Sequence, residues 1–153
     1  MLRLRSGPQD LPPGAGLAVV LSVAWLAQGL LTDRALDDAD SAPRSLLAIL
    51  VQFGAVIALL RSRNRAARIP QTISALAGTG FIFGLMALLL LLQLDPQKPQ
   101  PGLALAYLGI FVWSLLVDGH IYRHALSIKM SLGVLVAVLI FAANYTLMRA
   151  VFG

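Results

Sequence analysis

The sequence predicts an all-α fold: a polytopic membrane helix bundle of five transmembrane helices, N-terminus inside and C-terminus outside. Three observations lead there. Hydrophobic residues make up 58% of the chain and charged residues 12%, against about 25% charged in soluble domains, so lipid is the main solvent. The stretch from Ile69 to Leu94 holds 26 residues without a charge. At ~1.5 Å per residue such a helix reaches about 39 Å, more than the roughly 30 Å of a bilayer core. Four further apolar runs are joined by short segments that carry the charge.

With 153 residues, one helical membrane domain uses up the chain, read as a cytoplasmic tail over 1–14 and a five-span domain over 15–153. There are no cysteines, which excludes disulfide frameworks, thiolate zinc sites, iron–sulfur clusters and cysteine nucleophiles. The net charge of +5 is explained by orientation in the membrane rather than by nucleic acid, because most of the excess sits in the short loops.

The tail carries Arg3 and Arg5 and then a Pro/Gly-rich stretch that cannot continue a helix. A cleaved signal peptide is the rival reading. The prolines ahead of the apolar run and the poor cleavage site in DRALDDAD argue against it. The first span, 15–32, contains Trp25 and Gln28, and its exit loop holds four of the seven acids, which places that loop away from the cytoplasm. Asp37, Asp38 and Asp40 there lack the glycine and closing glutamate of a calcium loop and read as a solvated acidic loop.

The second span, 46–60, is short for a crossing, and the basic run after it decides that it crosses. Arg61, Arg63, Arg65 and Arg68 belong on the cytoplasmic side with Arg3 and Arg5 by the positive-inside rule. As a topology signal the cluster needs no ligand; anionic lipid head groups or an acidic partner are its alternative use, at about 1 kcal/mol per basic residue.

The third span, 69–94, opens with small residues at helical spacing, Ser74 with Gly78 and Gly80 with Gly84. Helices in lipid associate where small residues let backbones approach, so this half is the expected packing face, either within the chain or against a second copy. A proline-rich turn from Asp95 leads to the fourth span, 102–117, and the fifth covers 132–148. With five crossings, eight basic residues against Asp10 and Asp118 fall inside, and four basic residues against five aspartates fall outside. The asymmetry supports the orientation.

No G-x-S-x-G, G-x-x-x-x-G-K-[ST] or H-E-x-x-H motif occurs, so the chain reads as non-enzymatic and no cofactor is implied. One segment could bind metal or sense pH: in DGHIYRH, His120 and His124 are one helical turn apart, with Asp118 as a third ligand and Gly119 as a potential helix break. The bland reading is a polar interfacial loop. Within the spans lie the polar residues Gln28, Gln52, Thr79, Ser114 and Asn144, read as interhelical hydrogen-bonding groups. No ionisable residue is expected at mid-membrane, which counts against a proton-coupled transporter or pump.

QTISALAGTGFIFG at Gln71 to Gly84 and VWSLLVDGHIYRHAL at Val112 to Leu126, together with five spans, a cytoplasmic N-terminus and short loops, resemble the small bacterial inner-membrane proteins grouped with the Yip family. That resemblance implies an inner-membrane location. Eukaryotic members are linked to Rab GTPases and trafficking, but their long N-terminal region and D-L-Y-G-P type signature are missing here, so Rab binding does not carry over. The first functional expectation is a scaffold or accessory subunit that contacts membrane lipid and a membrane-protein partner or a second copy. A small transporter or channel subunit lined by Gln28, Gln52, Ser114 and Asn144 is the second. A sensor at DGHIYRH is the third.

Overall fold

Each apolar run forms one helix: α1 (Ala15–Ala35), α2 (Ser41–Ser62), α3 (Ile69–Leu91), α4 (Pro101–Leu126) and α5 (Met130–Phe152). The structure is a computed structural model, describing residues 7–12, 14–35, 41–95 and 97–153. Asp37, Asp38 and Asp40 of the acidic loop lie outside the described residues. All five helices are long and apolar enough to cross a membrane. No strand occurs among the described residues.

Most helices outrun the apolar windows that signal them. The marginal second window sits inside a helix of 22 residues, about 33 Å and ample for a crossing. It begins upstream at Ser41, with Pro43 in the first turn, where a proline sacrifices no helical hydrogen bond. The largest difference is in α4, which continues nine residues past Val117 to Leu126 without interruption at Gly119. The reason is packing: Val117, Ile121 and Ala125, spaced by one turn, are all buried, so the apolar period of the helix carries on through the polar letters between them.

α3 is the most buried of the five. It packs most extensively on α1, and also contacts α4 and α2, while α4 and α5 pair as an antiparallel hairpin and α2 bridges to α5. The small-residue half of α3 faces α1 of the same chain. A Cβ on Gly80 would fall 2.6 Å from the Trp25 ring, one on Gly84 2.2 Å from Gln28 Oε1, and one on Gly78 3.5 Å from Leu21. Ser74 is buried and turns its hydroxyl back to the Pro70 carbonyl at 2.8 Å. A second close approach joins α4 to α5. There a Cβ on Gly133 would stand 2.2 Å from the Gly119 carbonyl oxygen, and one on Gly119 2.8 Å from Val134 Cα. Gly119 is thus a backbone contact point rather than a helix break.

The α2–α3 and α4–α5 connections share one end of the bundle. Arg68 Nη1 donates to the carbonyls of His124 at 2.9 Å and Ala125 at 3.1 Å and to Ser127 Oγ at 3.0 Å, and Arg65 also donates to Ser127 Oγ. Ser127 ends α4 in the left-handed conformation, φ 52°. A guanidinium here meets carbonyls that lack helical partners and the negative end of the helix dipole. The segment before α1 reaches the same end. Its short turn over Pro8–Asp10 is held by Gln71 Nε2 donating to the Leu11 carbonyl at 2.8 Å and by Gln9 against His124 Nδ1 at 3.3 Å. The far end carries the α1–α2 and α3–α4 connections and the end of α5, where Arg44 sits over the Phe152 ring at 5.5 Å.

Candidate functional site

The extension of α4 relocates its acid. Asp118 is not in a loop at the helix end; it stands eight residues inside α4, about 12 Å from the arginine-bearing end. Counted along their own helices from the same end, Gln52 lies about 15 Å in, Gly80 about 16 Å and Asn144 about 21 Å. These distances set all four residues inside their helices, more than two turns from the arginine-bearing end. Against the expectation of spans free of ionisable residues, Asp118 lies within a helix, Pro101–Leu126, that is long and apolar enough to cross a membrane.

At that depth lies a cavity of about 160 Å³ whose wall takes residues from every helix: Trp25 of α1; Ala48, Ile49 and Gln52 of α2; Leu76 and Gly80 of α3; Asp118 of α4; Asn144 of α5. Gly80 contributes by being small, since the edge of Trp25 occupies the space its side chain would fill. Gln52 donates through Nε2 to the Tyr122 hydroxyl at 3.0 Å, tying α2 to α4. Asn144 donates through Nδ2 to the Ala48 carbonyl at 3.0 Å, tying α5 to α2. Its Oδ1 is buried with no hydrogen-bond partner among the described residues. Among the described residues Asp118 likewise has no hydrogen-bond or ion-pair partner.

The wall is rich in acceptors and holds no Lys, Arg or His. An unpaired carboxylate in a region of low dielectric costs several kcal/mol, and the cost is relieved by a proton or by a cation in the same space. The arrangement can bind and release positive charge at the centre of the bundle.

The other polar residues of the spans serve locally. Gln28 Nε2 donates to Thr32 Oγ1 one turn on, at 2.8 Å, and does not reach the cavity. Thr79 donates to the Ala75 carbonyl and Ser114 to the Phe111 carbonyl, each within its own helix. Of the expected transport lining, the structure brings Gln52 and Asn144 together and leaves Gln28 and Ser114 aside.

The expected metal group is also taken apart. His120 and His124 do lie together, ring centroids 4.5 Å apart, with His120 buried. Asp118 lines the cavity instead, because two residues along a helix turn a side chain by about 200° to the opposite face. Among the described residues no three of His, Cys, Asp and Glu gather as a metal site. In the basic run, Arg65 and Arg68 cap α4, while Arg61 and Arg63 are exposed.

Sequence reasoning missed Asp118 as an acid inside a span-length helix and lining a cavity, and with it Tyr122 and Trp25. The readable signal was the one-turn apolar repeat of Val117, Ile121 and Ala125, which carries the helix through Asp118. Comparison with known proteins finds no matching family model, no matching curated protein and no matching solved structure. The class defined by fold and site is a five-helix multi-pass membrane protein with a polar, acid-bearing cavity at mid-bundle.

Proposed function

We propose that the chain is a small transporter or channel subunit, without enzymatic activity, that passes positive charge across the membrane by way of Asp118. One observation carries this reading: the Asp118 carboxylate, without a partner among the described residues, lines a mid-bundle cavity together with Gln52 and Asn144. Ionisable groups at that depth are costly and mark ion or proton paths. In this reading the arginine-bearing end faces the cytoplasm, with the N-terminus inside and the C-terminus outside, and the membrane is a bacterial inner membrane, as the Yip-like segments suggest.

The test is proton flux in vesicles. The purified chain is reconstituted with a trapped pH-sensitive dye, a pH step is applied, and wild type is compared with Asp118→Asn. The expected result is that wild type dissipates the step and the variant does not, with both eluting alike in detergent and unfolding alike in SDS. Equal rates in the two would remove Asp118 from the path.

A second reading, a scaffold, is favoured by Arg61 and Arg63, which stand exposed beside the α4 cap and suit anionic lipid or an acidic partner. Against it, the small-residue face of α3 is occupied by α1. A crosslinked pull-down from native membranes tests it: a reproducible partner lost in Arg61→Ala/Arg63→Ala supports the scaffold, and recovery of this chain alone counts against it.

A further inference from the structure

We infer that the cavity receives a small organic cation, of the guanidinium type and on the order of four to six non-hydrogen atoms. This rests on the transport reading in taking the cavity as the working site, and deepens it by naming what enters. Three features of the wall point there.

The first is charge. Asp118 supplies a carboxylate, and no Lys, Arg or His lines the cavity to neutralise it. The second is hydrogen bonding. Asn144 Oδ1 is a buried acceptor without a donor among the described residues, and its own amide nitrogen is fixed on the Ala48 carbonyl. A ligand that satisfies the wall must bring several N–H donors and positive charge, and a planar guanidinium brings both. A bare metal ion would want more oxygen ligands than one carboxylate and two amides provide. The third is shape. The Trp25 ring, Ile49 and Leu76 border the space and give it an apolar part that suits a weakly hydrated organic cation better than a bare ion. A volume of about 160 Å³ matches a cavity of about 150 Å³ that holds a benzene-sized molecule. Guanidinium and its small alkyl derivatives fit; a hexose, about twice that size, does not.

The wall also says what is refused. An acetate-sized anion would meet the Asp118 carboxylate with no Lys, Arg or His in the wall to compensate it. A neutral isostere such as urea would satisfy Asn144 but leave Asp118 uncompensated.

The experiment uses the full chain in lipid nanodiscs and titrates guanidinium chloride, urea and sodium acetate at millimolar concentrations and constant ionic strength. The chain has two tryptophans, so Trp113→Phe leaves Trp25 as the sole reporter of the cavity. Calorimetric titration of the unmodified chain with guanidinium and with urea gives a second readout that needs no variant. The expected result is a saturable Trp25 response to guanidinium and none to urea or acetate. In Asp118→Asn the guanidinium affinity falls on the order of thirtyfold or more, as for loss of one member of a buried charge pair.

A flat guanidinium titration, a urea response equal to it, or unchanged affinity in Asp118→Asn overturns the inference. The dye-loaded vesicles, run without guanidinium, separate the two claims. Asp118-dependent proton flux with no guanidinium binding leaves transport standing and removes the organic cation. Guanidinium binding without Asp118-dependent proton flux keeps the ligand and removes the proton path.

Discussion

Replacing Gly133 by Ala tests the geometry on which the placement of Asp118 depends. The α4–α5 hairpin closes at a point where the added Cβ would lie 2.2 Å from the Gly119 carbonyl oxygen, 3.0 Å from the Arg123 backbone nitrogen and 3.1 Å from Arg123 Cβ. A carbon and a carbonyl oxygen in contact settle at about 3.3 Å or more, so the two helices must separate by roughly 1 Å. Neither the carbonyl nor the nitrogen can rotate aside, since both belong to helical backbone. Overpacking of this kind costs about 1–3 kcal/mol, partly offset by the better helix propensity of Ala, up to about 1 kcal/mol. The control is Gly109→Ala in α4, where no atom lies within 4 Å of the new Cβ and the propensity gain stands alone. SDS-induced unfolding followed by far-UV circular dichroism reads both variants against wild type. The expected order of stability is Gly109→Ala at or above wild type and Gly133→Ala below it by about 1–2 kcal/mol. If Gly133→Ala is as stable as Gly109→Ala, the helices do not touch at Gly119, and the position assigned to Asp118 loses its support.

Arg68→Ala removes three hydrogen bonds that close the end of α4; a loss of about 1.5–3 kcal/mol is expected in the same SDS assay, and hydrogen exchange should quicken at residues 124–128 before the rest of the bundle. Gly80→Leu forces Trp25 from its seat; in the Trp113→Phe background its emission should shift, and an unmoved spectrum would mean that α1 and α3 do not meet there. Orientation is open to cysteine labelling, because the chain starts with none. Arg63→Cys should react with an impermeant maleimide only from the cytoplasmic face and Lys98→Cys only from the other, and the reverse pattern would invert the topology.

The sequence by itself determined the class and the number of helices. Five charge-free runs can be stable only in lipid, and within lipid a backbone must satisfy its own hydrogen bonds, so helix follows from hydropathy alone. Legible too was the small-residue face of α3, since Gly78, Gly80 and Gly84 have no use in a leucine-rich helix other than to admit a neighbour. That the neighbour is α1, with Leu21, Trp25 and Gln28 seated on those glycines, took the tertiary structure.

The arginine cluster divides in the same way. Its basicity marks one end of the bundle, but nothing in RSRNRAAR distinguishes Arg65 and Arg68, which cap α4, from Arg61 and Arg63, which face outward. The cavity is the clearest case. Gln52 stands 66 residues from Asp118 and 92 from Asn144 along the chain, and hydropathy treats an aspartate as the end of a span. Its place at the cavity follows instead from contacts that no window of sequence contains: the crossing of Gly119 on Gly133, the fit of Val117, Ile121 and Ala125 into the core, and the guanidinium of Arg68 on the last carbonyls of α4. A local pattern can say that a helix forms, whereas the depth of one charged side chain depends on what its neighbours' packing makes tolerable.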